Sequence, residues 1–253
     1  MKFRHTAVAC IFATVTMSAG AQAGEHGHGA HWGYEGHAGP AHWAELDENS
    51  ATCGSGLRQS PIDIAATTPA DLAPIQFDYR DATLEMVNNG HTIQVNRGMG
   101  SSITVDGEKY DLLQFHFHSP SENTVDGQPY AMEMHLVHKN DQGQLAVVGV
   151  FLKAGADNAA LAKAWDHIPD HAGHTEQVAT VSINPGELLP ANRAYRRFNG
   201  SLTTPPCSEG VKWFVMQDAI EVSAAQVKAF SKVIGANARP TQPLNGRFVL
   251  SAR

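Results

Sequence analysis

Residues 112–118 read Leu-Leu-Gln-Phe-His-Phe-His, and residues 131–138 read Ala-Met-Glu-Met-His-Leu-Val-His. Successive side chains of a strand point to opposite faces. As a strand, the first run places Gln114, His116 and His118 on one face and Phe115 and Phe117 on the other. As the next strand, the second run places Glu133, His135 and Val137 on a common face. Paired antiparallel, the two runs aim three imidazoles at one point. A bare His-x-His is more often a polar sheet face than a metal site. Three features reverse that reading. The alternating phenylalanines give the histidine face a packed back. The third histidine arrives on a second strand with the right parity. Two positions ahead of His116 and of His135 stand Gln114 and Glu133, each able to hold the ring N–H of a ligand. Three neutral imidazoles around one open coordination position form the donor set of a catalytic Zn²⁺.

Outward from this pair, short β-rich runs alternate with turns at 75–79, 83–88, 92–96, 102–105 and 111–118, and again at 145–152. Asn89-Gly90, Asp106-Gly107 and Asp141-Gln142-Gly143 supply the turns. Such dense, short-looped strands predict an α+β, β-dominated fold: a single domain with a large central, mainly antiparallel twisted sheet. Two stretches switch to helical spacing. Leu161 and Trp165 mark a short helix within 158–167. Ser223 to Gln226 is a capping box followed by Val227, Phe230, Val233 and Ile234, with Gly235 as the stop. These helices are expected at the periphery of the sheet.

The chain has 253 residues and no linker, composition shift or internal repeat, which predicts one domain over 24–253. Residues 1–23 read as a secretory signal peptide: Lys2 and Arg4, an apolar stretch from Ala7 to Val15, and Ala21-Gln22-Ala23 as the cleavage site. The apolar stretch is too short to span a membrane, and the same shortness weighs against a lipoprotein anchored at Cys10. The mature protein is therefore expected in the periplasm or outside the cell. Cys53 and Cys207 remain after cleavage, and two cysteines in an exported protein read as one disulfide; retained in the cytoplasm they would be free thiols. The bridge would close a loop of about 150 residues, worth up to about 4–5 kcal/mol in the chain-entropy picture. The net charge of −7 becomes more negative once Lys2 and Arg4 leave, which argues against nucleic acid or anionic membrane as partners. Residues 24–31 are Gly/His-rich and read as flexible; His26, His28 and His31 could take up stray transition metal or simply be solvated.

QFHFHSPSENTVDG (114–127) and MEMHLVHKN (132–140) resemble the α-class carbonic anhydrases, as do HWGYEGHAGPAHW (31–43), RQSPIDI (58–64), NNGHTIQV (88–95), LAVVGVFLK (145–153), GSLTTPPCSEGVKWFV (200–215) and RPTQPLNGR (239–247). The blocks run in the family's order over nearly the whole mature chain, which is more specific than any one motif. The resemblance implies one Zn²⁺ per chain on His116, His118 and His135, and hydration of CO₂ to bicarbonate and a proton by zinc-bound hydroxide. It implies a dry wall for CO₂ from Val137, Leu145, Val147, Leu202, Val211 and Trp213, residues that read alone are ordinary core. Thr203 is implied to accept a hydrogen bond from the hydroxide and to donate its own to Glu122. The Thr203 N–H and Thr204 would meet bicarbonate, anions or sulfonamide-type inhibitors. His91 stands at the proton-shuttle position, since an imidazole titrates near neutrality. Tyr34 would order the relaying waters, the Asn237 carbonyl would hold the His118 ring, and the Ser60-Pro61 bond would be cis.

Three positions depart from the animal enzymes: Asn123, often histidine there; Phe198, a tyrosine there; and Ala238, a tryptophan there. They touch supporting details and leave the three ligands in place. Bacterial relatives imply a monomer or a homodimer. Three rival readings follow from the same residues. A non-catalytic relative would typically lack a zinc ligand. A zinc-buffering or adhesion protein would depend on 24–31. An esterase would use the same hydroxide on activated esters, more naturally as a weak side activity.

Overall fold

The computed structural model describes residues 31–96 and 100–252. The proposed signal peptide, and His26 and His28 of the Gly/His-rich segment, lie outside the described residues. Within them, the strands in chain order are Asp63–Ile64 (β1), Thr68–Ala70 (β2), Gln76–Asp78 (β3), Ala82–Asn88 (β4), Ile93–Asn96 (β5), Ser102–Val105 (β6), Glu108–His118 (β7), Thr124–Val125 (β8), Gln128–Pro129 (β9), Met132–Lys139 (β10), Leu145–Ala154 (β11), Thr175–Ile183 (β12), Tyr195–Ser201 (β13), Glu209–Met216 (β14), Ile220–Val222 (β15) and Leu250–Ala252 (β16). The helices are short: Trp43–Leu46 (α1), Thr52–Ser55 (α2), Ala159–Trp165 (α3) and Ala224–Ile234 (α4), with single 3₁₀ turns between.

One sheet runs in the order β12-β4-β5-β7-β10-β11-β14-β13-β16-β2, with β15 beside β11 and the β3–β6 pair beside β7. Its pairings are mainly antiparallel, as the alternating runs predict. Parallel pairs occur where β11 meets β14 and β15, and where β16 meets β2. The long, buried strands β7, β10 and β11 lie at the centre. A second, three-stranded sheet, β1-β8-β9, lies apart from it. β7 extends three residues further back than the run 111–118 suggests, because Glu108, Lys109 and Tyr110 pair with β6 across the Asp106-Gly107 turn.

The two faces of the sheet do different things. Phe115, Phe117, Met134 and Leu136 face a large apolar core that includes Leu84, Ile93, Val148 and Val150. The peripheral helices close that core. Phe117 meets Trp165 of α3 edge-on at 4.8 Å and Phe230 of α4 at 6.5 Å. Ser223 caps α4 with the reciprocal Gln226 contact, and Gly235 ends it at φ 80°, as its sequence predicts. Gln226 also ties the two helices together, accepting from the Asn158 amide at 2.9 Å while its carbonyl accepts from the Trp165 indole at 3.0 Å. On the opposite face a second apolar cluster gathers Val137, Val147, Val211 and Trp213 with Phe151 and Phe198.

His138 sits one residue beyond Val137, on the core face. It is fully buried, with Nε2 at 2.9 Å from the Tyr79 hydroxyl. Burial pushes its pKa down to about 4. Between about pH 6.5 and about 4 the unfolded chain therefore binds a proton at this position that the folded chain refuses, so stability falls as pH falls through that window. The loss approaches about 3 kcal/mol for a shift of this size. His138→Gln, which can still bond Tyr79 but does not titrate, is expected to flatten the denaturant-midpoint profile between pH 6.5 and 4 relative to the parent chain. Parallel profiles for the two proteins would contradict this.

Cys53 and Cys207 are joined, with Cα atoms 5.0 Å apart across 154 positions. The bridge packs beneath Trp43 with Trp32 and Tyr34 around it. It thus fastens the aromatic N-terminal segment to the loop after Leu202. Ser60-Pro61 is cis, and so are Ser119-Pro120 and Pro205-Pro206.

Candidate metal centre

The register of β7 against β10 places Glu133 opposite His118, His135 opposite His116, and Val137 opposite Gln114. All six side chains therefore share the face that the parity of the two runs assigns them. Facing positions on paired strands bring side chains within a few ångströms, and the imidazole centroids lie 4.6–5.4 Å apart. One nitrogen from each of His116, His118 and His135 lies within 4.8 Å of the other two.

Each ring has an acceptor on its outer side. His116 Nδ1 is 2.8 Å from Gln114 Oε1, and His118 Nδ1 is 2.8 Å from the Asn237 carbonyl. His135 Nε2 faces Glu133 Oε1 at 3.2 Å. With Nδ1 engaged, His116 and His118 turn Nε2 inward; His135 Nε2 lies beside Glu133 without a hydrogen bond, and its Nδ1 faces Glu122 Oε2 at 3.8 Å. The His118 Nε2 atom is buried and has no hydrogen-bond partner, which a fully buried polar atom rarely tolerates. Burial and the neighbouring imidazoles hold the pKa of His116 and His135 well below the usual histidine range. Burial lowers that of His118 as well, against the pull of the Asn237 carbonyl and Glu133. Neutral imidazoles with fixed tautomers suit a divalent transition ion, and three nitrogen donors match the catalytic pattern for Zn²⁺.

Two buried carboxyls surround the ligands. Glu133 receives both backbone N–H groups of Glu122 and Asn123, at 3.0 and 2.8 Å, and the Asn123 side-chain amide at 2.8 Å. Burial pushes its pKa up to about 7, and these three donors pull against that rise. Asn123 thus orients Glu133, while its own side-chain oxygen accepts from the Ile62 amide at 3.0 Å. Glu122 Oε1 accepts from the Arg239 amide at 2.9 Å, and Oε2 lies 3.4 Å from His118 Nε2. Burial pushes the Glu122 pKa up to about 8, with the Thr203 hydroxyl and the Arg239 amide opposing. Thr203 is itself buried.

A cleft of about 140 Å³ leads to the centre. It is lined by Trp32, Tyr34, His91, Gln94, Gln114, His116, His118 and Thr204, with Asn89 and Thr92 at its side. His91 enters it from a tight turn: Asn88 Oδ1 accepts from the Gly90 amide, and Asn89 Oδ1 accepts from those of His91 and Thr92. The His91 ring lies flat on Trp32, centroids 3.7 Å apart and planes 8° off parallel. Burial lowers its pKa, with His31 adding to the effect. Tyr34 packs edge-on against Trp32 and Trp43. The apolar residues expected beside the metal lie on the other side of the histidines, where the Trp213 ring meets His135 edge-on at 4.9 Å. Val137, Val147, Val211 and Trp213 form the buried part of that wall, with Leu145 and Leu202 against it. Phe198 belongs to this apolar cluster, stacked on Trp213 with planes 5° off parallel. Ala238 lies between Asn237 and Arg239, both fully or almost fully buried.

Three contributors carry no signal of their own in the sequence. Gln94 lies opposite His116 on β5 and lines the cleft. Arg239, almost fully buried, presents its amide to Glu122 and sends its guanidinium to Gln59, to the Ser60 carbonyl and to the Cys53 carbonyl. Gly149 stands opposite His135 on β11, where a Cβ would meet Glu133 Oε1 at 3.0 Å and Val215 at 3.4 Å. Gly149→Ala is expected to displace Glu133 and turn His135. The expected cost is about 10–100-fold in metal affinity or activity, the range for a disturbed ligand-orienting group. Zinc content and kcat/KM both at the parent level would show that the site has slack there.

The sequence profile of the eukaryotic-type carbonic anhydrase family matches residues 38–253. A carbonic anhydrase of Klebsiella pneumoniae is 48% identical over 224 residues, covering 87% of this chain and 91% of its own. One from Neisseria gonorrhoeae is 41% identical over 249 residues, covering 98% of this chain and 96% of its own. The solved structure of the α-carbonic anhydrase of Thermovibrio ammonificans, in complex with the inhibitor sulfanilamide, superposes with a TM-score of 0.85 at 47% identity, covering 88% of this chain and 99% of its own. A profile match over most of the chain, relatives near half identity and a shared β-dominated fold agree with the three-histidine centre: the chain belongs to the eukaryotic-type, or α, carbonic anhydrase family, and is an enzyme of that family.

Proposed function

We propose that the chain carries out its family's reaction, reversible hydration of CO₂ to bicarbonate and a proton, with one Zn²⁺ on His116, His118 and His135, Thr203 and Glu122 fixing the reacting oxygen, and His91 relaying the proton. The observation that carries this reading is the convergence of three neutral imidazoles, one half-buried and two buried, two of them held from outside by the Gln114 side chain and the Asn237 carbonyl. Bound there, Zn²⁺ would lower the pKa of water to about 7 and so supply a nucleophile at neutral pH, an effect for which carbonic anhydrase is itself the standard example.

The remaining work belongs to the chain's own residues. The Thr203 hydroxyl hydrogen-bonds the Glu122 carboxyl; donating there would leave the Thr203 oxygen free only to accept. Glu122 is favoured in its charged form beside a bound dication. Val137, Val147, Val211 and Trp213 offer CO₂ an apolar, water-poor surface next to His135. Tyr34, Gln94, Gln114 and Thr204 line the polar side, along which a proton would pass toward His91 at the rim.

Stopped-flow CO₂ hydration tests the reading. Activity should vanish when a chelator strips the metal and return on adding one equivalent of Zn²⁺. Undiminished activity in metal-free protein would overturn it. Sulfonamide-type inhibitors and simple anions should compete at the same centre. Export to the periplasm or beyond fits the disulfide, since such bridges persist in oxidising compartments. The mass of the mature chain, expected to be cut after Ala23, tests that.

A further inference from the structure

A second cluster of metal-binding side chains lies away from this centre, on the loop between α3 and β12. We propose that Asp170, His171 and His174 form a separate, surface site for a divalent transition ion that favours imidazole, such as Cu²⁺ or Zn²⁺. One donor atom from each of the three lies within 4.8 Å of the others. The two imidazoles are nearly parallel, with centroids 4.7 Å apart and planes 17° off. Both turn Nδ1 toward the same carboxylate oxygen: His171 at 2.6 Å and His174 at 3.8 Å from Asp170 Oδ1. Glu176 adds a carboxylate 3.8 Å from His174 Nε2. Two imidazoles and a carboxylate suit copper, zinc or nickel, whereas magnesium and calcium prefer oxygen donors alone.

Two further observations separate this cluster from an incidental patch of polar side chains. The first is electronic. His174 Nδ1 is shut off from solvent and has no hydrogen-bond partner. Groups in that position are normally satisfied by protein, water or an ion, and here the nitrogen points toward Asp170. The second is mechanical. The loop is held in shape before any ion arrives. The Gly173 amide donates to the Asn88 carbonyl at 2.8 Å, the Asn88 amide donates to the His174 carbonyl at 3.0 Å, and the Asn88 side-chain amide donates to the Pro169 carbonyl at 3.1 Å. Gly173 adopts φ 83°, the left-handed conformation that lets the two histidines come to one side. Asp170 is almost fully exposed, so its carboxylate can turn from His171 to an ion without disturbing the core. The same Asn88 begins the turn that carries His91, so an ion here would sit on the outer support of that turn.

Copper titration of the zinc-loaded mature protein tests the proposal. The histidines of residues 24–31 can also take up copper, so the informative quantity is a difference between proteins. His171→Ala/His174→Ala is expected to bind one Cu²⁺ fewer than the parent by calorimetry. By electron paramagnetic resonance, the parent should show a copper component with two imidazole nitrogens that the double variant lacks. CO₂ hydration and the melting temperature should stay at the parent level, which shows the variant is folded. Asp170→Asn, milder still, should raise the dissociation constant of that one ion by about 10–100-fold. Equal copper stoichiometry in the parent and the double variant would overturn the proposal, as would a parent spectrum lacking the two-nitrogen component.

Discussion

His118→Ala is expected to strip the chain of its metal and to lower kcat/KM for CO₂ hydration by well over about 100-fold. Disturbing a group that merely orients a ligand costs about 10–100-fold, and this substitution deletes the ligand itself. It removes an imidazole whose inward nitrogen is buried without a partner. It also leaves the Asn237 carbonyl without the ring N–H it receives at 2.8 Å, so some loss of stability should accompany the loss of metal. The two effects separate by measurement. Metal analysis after dialysis should find far less than one zinc per chain, while circular dichroism and a melting scan still report a folded protein. Adding excess Zn²⁺ should recover little activity, because two imidazoles and two carboxyls define a different site. Full zinc in folded His118→Ala would mean that the ion is held elsewhere, and the ligand assignment would fall.

What is legible in the chain alone follows from the period of a strand. A two-residue period admits no partial error: a slip by one residue would send Gln114, His116 and His118 to the core and the phenylalanines to the cleft. The observed register, His116 opposite His135, keeps the faces that parity assigns. The α4 cap is legible for a similar reason, since its signals sit within a few residues of each other. The elements that are not legible depend on distant partners. Arg239 meets Glu122 across 117 positions and Gln59 across 180, and nothing local marks it for burial. β12 is an edge strand whose residues are mostly exposed or half-exposed, so it lacks the alternation that reveals β7 and β10. The short helices α1 and α2 have four residues each, too few to show a helical period. The supporting groups are partly legible. Gln114 and Glu133 stand at fixed offsets from the histidines they serve. Asn237 is reached only through the family resemblance, because its carbonyl arrives from beyond α4.

His91→Ala is expected to leave kcat/KM near the parent value and to lower kcat by about one to two orders of magnitude, at the modest end of what a positioned acid–base group contributes. The ratio kcat/KM reports the steps up to bicarbonate release, and His91 lines the cleft without belonging to the three-histidine group. On the proposed mechanism, turnover at saturating CO₂ in weak buffer is instead limited by export of the proton. The geometry favours this role over a structural one. His91 stands where the polar cleft opens, half-buried on one face by Trp32. Burial and His31 keep its pKa below the ordinary histidine value, so at neutral pH it is mostly free to accept a proton from the cleft. The backbone does not depend on the ring: the turn is held by the side chains of Asn88 and Asn89 and by the Asn237 amide donating to the His91 carbonyl at 3.0 Å. Truncation should therefore leave the fold and the zinc content unchanged. Added imidazole buffer, a diffusing base with pKa near 7, should restore kcat in His91→Ala and change the parent little. A ligand or wall residue would behave otherwise, losing kcat/KM with no rescue. Loss of both parameters without rescue would make His91 part of the centre itself, and no change in either would route the proton past it, with His31 the next imidazole to replace.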